Sequence, residues 1–551
     1  MKKNNFIILV VTFLFISSCN EDEWLKEVPL SLFTADNAFA TPSDFESANA
    51  NIYDIIRANI HQADQNFPAT WYCGTDIGTR GGNQLYWIWP NDYAQYTPTI
   101  HDPFLWNTCY KIISCANVVI GRIDDKNIIF KSETSRMQLK AEAMFFRAYG
   151  YRLLVHIYGG VPLVLEEISS PKRDFVRATK EEVVEQIISD LEYAAENLPT
   201  VLEVVDGRLC NAAAYHLLTE MYITAGDPDK AIEAASLVIN NPNFALMTNR
   251  FGRRINEPGD VYWDLFRREN QNRQNGLNTE AIWVCQYEYN VPGGGTSNQL
   301  ERYAGPNYFL ITGPDGKGLF IGPTTQNGGR GISWTGLTEY GDTLIWESDW
   351  NNDIRNSKYN IIRDMVADNP NSLYYGQKVI ENNLIDPIYF AMEYWSSTYV
   401  KNTAINEQPD ESFINKSTGL LSRAGSGFTF TDNYIFRLAE TYLLRAEAYL
   451  AKGDKASAAN DINVVRNRAN AQPVQPNEVD IDYILDERAR ELIWEELRRL
   501  TLQRTGKLVE RVRKYNRLSR SSIQDYNNLW PIPFSEIEKN VGAPLIQNPG
   551  Y

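Results

Sequence analysis

The chain has 551 residues, 43% of them hydrophobic, a formal net charge of −16, and 31 Tyr, 23 Phe and 13 Trp. That apolar content is globular, and the length admits one large or several ordinary domains. The acidic balance disfavours nucleic acid and anionic lipid surfaces as partners.

Lys2 and Lys3 precede an eleven-residue stretch, Phe6 to Ile16, that is apolar except for Thr12; Ser17, Ser18 and Cys19 follow. Positive n-region, apolar h-region and small residues make a secretory signal over residues 1–18. The run is too short to span a bilayer, which takes roughly 20 apolar residues. With a cysteine after the small residues the motif resembles a bacterial lipobox, in which Cys19 is diacylated and becomes the mature N-terminus. At about 0.8 kcal/mol per buried methylene, two or three acyl chains are an effective tether. An ordinary signal with an incidental cysteine is the alternative.

TWYCGTDIGTRGGNQLYWIWPNDYAQY comes next, with aromatics and planar polar groups close together. A pyranose offers a C–H face that packs on an indole or phenol ring and a rim of hydroxyls that needs donors and acceptors. Trp71, Tyr72, Asp76, Trp87, Trp89, Asn91 and Asp92 are therefore candidate ligand contacts. Alternation in YWIWP equally fits an indole in the core, and both readings stand open.

Helical periodicity follows. SRMQLKAEAMFFRAYGYRLLVHIYG spaces Leu139, Ala143, Phe146, Leu153 and Ile157 at approximately helical intervals. TKEEVVEQIISDLEYAAENLP opens on a capping box of Thr179 and Glu182, then runs Val183, Ile187, Leu191, Ala194 and Leu198 along one face to Pro199. YHLLTEMYITAGD (215–227) and YLLRAEAYLAKGD (442–454) agree at six of thirteen positions. Each leads into an alanine-rich helix, with Ala231, Ala235, Ala456 and Ala459 expected at the crossings. Helix, Gly turn and second helix form the unit of a tetratricopeptide-like repeat.

From about residue 244 to 430 the chain is rich in Gly, Asn, Pro and aromatics, with strand-like pieces at 281–289 and 429–436. Loops this long inside a domain are functional or disordered, and the aromatic content argues against disorder. Tyr289, Tyr303 and Trp334 are the further candidate contacts, in a stretch that also holds Tyr287, Asn290, Asn298, Arg302 and Trp346.

The segment 481–511 reads as one long charged helix burying Ile484, Leu492 and Trp494, its Glu and Arg forming a solvated face with local ion pairs. Glu142, Glu440, Glu447 and Glu491 are expected to pair with Arg147, Arg437, Arg445 or Arg490. Beyond Cys19, Cys73, Cys109, Cys115, Cys210 and Cys285 are odd in number and contain no CxxC, which argues for buried thiols over a disulfide framework or zinc site. Asp349, Asp353 and Asp364 lack the rhythm of a calcium loop, so no metal and no cofactor is expected. GxSxG, HExxH and Walker motifs are absent, and the four histidines (His61, His101, His156, His216) are scattered.

Four stretches together resemble the SusD/RagB family of nutrient-binding outer-membrane lipoproteins: AEAMFFRAYGYRLLVHIYGGVPLV, FRLAETYLLRAEAYLAKGD with NDINVVRNRA, DERARELIWEELRRLTL, and the terminal LWPIPFSEIEKNVGAPLIQNPGY. The resemblance implies a mainly α fold of tetratricopeptide-like helix pairs with a large loop-rich insertion containing short strands. It would be a single domain over 19–551, its helical scaffold at about 41–243 and 431–515, its ligand-binding half at about 66–106 and 244–430, and a family tail at 529–551. It implies a cell-surface protein, lipid-anchored in the outer membrane, that binds glycan or another nutrient and passes it without chemistry to a SusC-like TonB-dependent transporter. LYWIWPND resembles the family's L-W-x-W-x-x-N stretch, on which Trp89 would stack and Asn91 or Asp92 would bind hydroxyls, with a register uncertain by one residue. Asn20, Glu21, Asp22 and Glu23 resemble an acidic surface-export signal, against the alternative of a solvated tether. Two other functions stay open: a surface glycoside hydrolase, which needs two carboxylates about 5 to 9 Å apart, and a non-binding assembly adaptor.

Overall fold

The computed structural model describes residues 39–61, 66–81, 91–100, 102–386, 395–422 and 427–551. Cys19 with residues 20–23, and Trp87 and Trp89, lie outside the described residues.

The frame is a run of antiparallel helices. They are α1 (Pro42–Ile56), α2 (Phe104–Arg122), α3 (Glu133–Tyr158), α4 (Lys180–Asn197), α5 (Asn211–Ala225), α6 (Pro228–Ile239), α7 (Leu438–Ala451) and α8 (Lys455–Arg468). From α2 to α8 each helix packs on the next, so α6 meets α7 directly although residues 240–437 separate them in sequence. The insertion therefore loops out of an uninterrupted superhelix.

The repeated Gly-Asp dipeptide explains its own recurrence. Gly226 (φ 78°) takes the left-handed position that ends α5, and Gly453 (φ 85°) takes it after α7. The aspartate that follows caps the next helix: Asp227 accepts from the Lys230 amide at 3.1 Å, and Asp454 from the Ser457 amide at 3.0 Å. The repeated glutamate is equally constant in role. Glu220 is buried against Arg152 of α3 at 2.7 Å, and Glu447 against Arg504 at 2.6 Å. Ala231, Ala235 and Ala459 are buried at the crossings as expected; Ala456 is exposed, and Ala458, four residues after the capping aspartate, fills the place assigned to it. The Thr179–Glu182 capping box is present at the start of α4.

The predicted long C-terminal helix is three helices: α9 (Ile481–Leu492), α10 (Arg498–Arg504) and α11 (Leu508–Tyr515). No proline breaks it. The chain turns at Trp494, whose φ of 62° is a left-handed value for a bulky residue, and the Trp494 ring packs on Tyr72 at a centroid distance of 4.4 Å. Its charges are not a solvated face either. Glu487, Arg488, Arg490, Glu491, Glu496, Arg498 and Arg499 are all buried. Arg355, from the insertion, contacts Glu487 at 2.8 Å and Glu491 at 2.9 Å. Arg437 contacts Glu280 at 2.8 Å and Glu491 at 2.5 Å, and Arg468 pairs with both of those glutamates. Helical spacing alone cannot distinguish this from a wet stripe, because the neutralising partners come from distant segments.

Of the other predicted ion pairs, Glu491–Arg437 forms. Glu142 instead pairs with Arg208 and Glu440 with Arg488, while Arg147 takes Asp190, Arg445 takes Asp461 and Arg490 takes Glu487. The five cysteines Cys73, Cys109, Cys115, Cys210 and Cys285 are free thiols, all but Cys115 buried. No group of metal-ligating side chains occurs among the described residues, and none of their helices is long and apolar enough to cross a membrane.

The insertion is ordered around cores of its own. Tyr308, Ile311, Leu319, Phe320, Met365 and Val379 form one cluster, and Phe251, Tyr262, Leu265, Phe266 and Tyr434 another. Its ends are joined by an antiparallel pair, β2 (Ala281–Cys285) with β4 (Asn433–Arg437), shorter than the strand-like runs predicted there. A second pair, β1 (Gly78–Arg80) with β3 (Thr335–Leu337), ties the N-terminal loop to the middle of the insertion. That pairing brings the two aromatic stretches of the sequence together.

Candidate functional site

Three backbone runs meet beside β1 and β3. The Gly81 amide donates to the Trp334 carbonyl at 2.8 Å, and the Trp334 amide to the Tyr303 carbonyl at 3.2 Å. The Ile332 amide reaches the Arg302 carbonyl at 2.8 Å. Only glycine fits at position 81, because a Cβ there would stand 1.8 Å from the Ser333 carbonyl oxygen. The N-terminal loop is thereby pinned against the segment that carries Trp334, so the two aromatic stretches of the sequence converge.

On this platform the Tyr303 and Trp334 rings pack at a centroid distance of 4.9 Å and a tilt of 43°. Tyr303 is buried at 8% exposure while Trp334 is half-buried, so the tyrosine backs the indole. The Arg302 guanidinium lies 5.8 Å from the Tyr303 ring centroid and 5.7 Å from that of Phe428. Tyr289 is half-buried and packs edgewise on Phe430 (5.0 Å) and Phe413 (5.3 Å). Sequence reasoning does not reach Phe413; for Phe428 and Phe430 the alternation in GFTF (427–430) is the available signal.

Asn91 is buried, and its Oδ1 accepts from the Arg80 amide at 3.0 Å and the Thr79 hydroxyl at 3.3 Å, clasping the chain on either side of residues 82–90. Its Nδ2 is buried without a hydrogen-bond partner among the described residues. Asp92 is half-buried and caps the short helix after it through the Ala94 amide.

Trp71, Tyr72 and Asp76 belong to the frame. Trp71 is 1% exposed, and the Tyr72 hydroxyl donates to the Glu496 carbonyl at 2.8 Å. Asp76 is fully buried between Arg498 (2.6 Å) and Arg511 (2.7 Å). Burial would raise the Asp76 carboxyl, but the two guanidiniums outweigh it and hold it at about 2. The loop at 71–76 tucks under α10 and α11, which removes these three side chains from any surface. Tyr287, Trp346 and Asn298 of the second stretch are buried as well.

Glu301, next to Arg302, is buried and held by backbone amides. One carboxylate oxygen accepts from the Arg330 amide at 3.0 Å and the other from the Ala404 amide at 2.9 Å. With no cation beside it, burial pushes this carboxyl up to about 7. Asp432 is likewise raised by burial to about 7, held by the Tyr287 amide and Asn272.

Two family models match the chain: one described as "Starch-binding associating with outer membrane" over residues 31–223, and one described as "SusD family" over 324–551. A SusD-like protein of Formosa agariphila is 24% identical over 98% of this chain and 97% of its own. A laminarin-binding SusD-like protein superposes with a TM-score of 0.67 at 23% identity, covering 92% of this chain and 99% of that one. Surface glycan-binding protein A from Bacteroides thetaiotaomicron, solved with laminarihexaose, superposes at 0.64 with 20% identity over 92% of this chain and 99% of its own.

Proposed function

Since the chain belongs to the SusD/RagB family, we propose that it is a glycan-binding protein of the cell surface, anchored in the outer membrane through acylated Cys19. It captures oligo- or polysaccharide and hands it to a SusC-like TonB-dependent transporter without chemical change. The observation that carries this reading is the convergence of the two aromatic stretches through the β1–β3 pairing, which sets the half-buried Trp334 indole on the buried Tyr303 phenol. Aromatic rings gathered with planar polar groups on loops are what the C–H side and hydroxyl rim of a pyranose require. Laminarin and laminarihexaose are ligands of structural relatives by name, which supports a carbohydrate ligand here.

Native affinity electrophoresis of the purified chain through gels containing individual polysaccharides tests the reading, with reducing-end assays on the same mixtures. Retardation in at least one gel without new reducing ends is the expected result. New reducing ends would make it a glycoside hydrolase. No retardation in any gel, with a large outer-membrane barrel co-purifying, would make it an assembly adaptor.

A further inference from the structure

The insertion also carries an indole that is open to solvent. Among the described residues Trp350 is the most exposed tryptophan. It closes the 3-10 turn Leu344–Asp349 and keeps helical backbone angles, φ −50° and ψ −41°. Three residues make one such turn, so side chains three apart eclipse. Leu344, Glu347 and Trp350 therefore form one outward row, Leu344 and Trp350 each 41% exposed, while Ile345, Trp346 and Asp349 are buried. At about 2 Å of rise per residue the row is roughly 12 Å long.

The ring is braced from behind. The Arg363 guanidinium lies 4.6 Å from its centroid. That guanidinium donates to the Asp342 carbonyl at 2.7 Å and to Asn356 Oδ1 at 2.6 Å, and Asn356 Nδ2 donates to the Trp350 carbonyl at 2.8 Å. One side-chain amide thus holds both the backbone of the indole and the cation that covers one of its faces. No described ring and no second cation packs on it. The turn is tied to the frame just past α8, away from β1 and β3. Asp349 accepts from the Gln472 amide, the Asn352 carbonyl accepts from Asn470 Nδ2 at 3.2 Å, and the Ile354 amide donates to the Ala469 carbonyl at 2.9 Å.

The rim of the row selects its ligand. Glu347 and Asn351 are exposed, and neither side chain has a hydrogen bond or ion pair with a described residue. A carboxylate accepts from hydroxyls, and an amide both donates and accepts. A pyranose matches this arrangement, its C–H face on the indole and its hydroxyls on the rim. A protein partner would have to desolvate the Glu347 carboxylate, which is costly unless it brings a matching cation. The same carboxylate, on a chain of net charge −16, repels an acidic saccharide.

We propose that Leu344, Glu347 and Trp350 form a second saccharide-binding strip that takes a neutral glycan chain. Trp350 stacks on a sugar ring, and Glu347 and Asn351 hold its hydroxyls. This rests on the glycan-binding reading above and adds to it a site anchored apart from Trp334.

Trp334, Trp346 and Trp350 share one tryptic peptide, residues 331–355, which has no Lys or Arg before Arg355. Hydroxyl-radical footprinting of the full chain in detergent, read by fragmentation of that peptide, tests the proposal. The neutral probes are laminarin, amylopectin, galactomannan and arabinoxylan, with polygalacturonate as the acidic one. Exposed Tyr526 normalises the radical dose, and buried Trp346 is the internal reference. At least one neutral probe is expected to lower Trp350 oxidation by about threefold or more at a concentration that saturates gel retardation. Trp350→Ala should weaken retention in that probe's gel by about tenfold. Glu347→Gln, which keeps the shape and one acceptor, should weaken it by about threefold. Melting temperatures of both variants check folding. Unchanged Trp350 oxidation with a probe that retards the chain would overturn the proposal and leave the glycan reading intact. So would full retention of a folded Trp350→Ala variant, or protection by polygalacturonate alone. Protection only by a co-purifying outer-membrane barrel would make the row a protein-docking surface instead. Neither retardation nor protection with any probe would overturn both readings.

Discussion

Asp76 and Arg498 meet in a two-point ion pair, Nε to Oδ1 at 3.0 Å and Nη2 to Oδ2 at 2.6 Å, although 422 positions separate them in the chain. Both are fully buried. Breaking a buried pair by removing one charge costs about 3–5 kcal/mol, because the other charge stays out of water. Asp76→Asn should lower the urea unfolding free energy by roughly 3 kcal/mol, read from denaturation curves at neutral pH. Arg498 keeps Glu496 at 2.9 Å, which places the expected loss at the lower end. A loss under about 1 kcal/mol would mean that the pair is not part of the stability of the frame.

Trp334→Ala should weaken binding of whichever glycan is retained by about tenfold or more, the scale of a lost ring contact. The melting temperature should fall somewhat, because the half-buried indole packs on Tyr303, so affinities are compared at a temperature where both chains are folded. Unchanged affinity in a folded variant would remove Trp334 from the surface.

Buried carboxyls and buried histidines pull stability in opposite directions between about pH 4.5 and 7. Glu301 and Asp432, raised to about 7 by burial, hold protons that the unfolded chain has released, so each withdraws stability as pH rises through that window, on the order of 3 kcal/mol per group. His61 and His156, lowered by burial to about 3 and about 4, stay neutral while the unfolded chain takes up protons, so each withdraws stability as pH falls below about 6.5. Below about pH 4, Asp76 and Glu440, held at about 2, stay ionised while the unfolded chain protonates, so stability falls towards about pH 2. In both lowered carboxyls burial acts the other way and is outweighed, for Asp76 by Arg498 and Arg511 and for Glu440 chiefly by Arg488. Glu301→Gln isolates one carboxyl: relative to the parent chain, its urea unfolding free energy should gain on the order of 3 kcal/mol between about pH 4.5 and 7.5. An unchanged difference between the two chains at both pH values would contradict the assignment to Glu301.

Gly226→Ala and Gly453→Ala should each cost about 1 kcal/mol through backbone conformation alone. Both glycines sit at positive φ with no atom within 4 Å of where a Cβ would be, so no clash adds to the cost. Paired urea curves on the two single variants check that the costs are equal, as two copies of one motif require.

Cys19→Ala should move the protein from the membrane fraction to the soluble envelope fraction, followed by fractionation and immunoblotting. Retention in the membrane would refute the acyl anchor.

The parts of the fold legible in the sequence are those set by local chemistry. The Thr179–Glu182 box, the Gly-Asp stops at 226–227 and 453–454, and the apolar face of α4 are each fixed within a few residues, and the structure has them where the pattern puts them. The charged run at 481–511 misleads because a buried and a solvated Glu/Arg stripe share one periodicity; partners distant in sequence, among them Asp76, Arg355, Arg437 and Glu440, tell them apart. The site shows the same division. Tyr289, Tyr303 and Trp334 are recognisable as loop aromatics, but which stretches come together depends on pairings such as β1 with β3. Trp71 and Tyr72 have the same composition signal as Trp334 and are consumed by the contact with α10 and its neighbours.

Because α6 rests directly on α7, the superhelix is continuous without the 198 residues between them, which invites exchange of one inserted module for another during evolution. The exchange is not unconstrained. Glu487 and Glu491 of α9 are neutralised in part by Arg355, which the insertion contributes. A transplanted module would therefore have to import a guanidinium at that junction, or leave excess negative charge sealed inside the recipient.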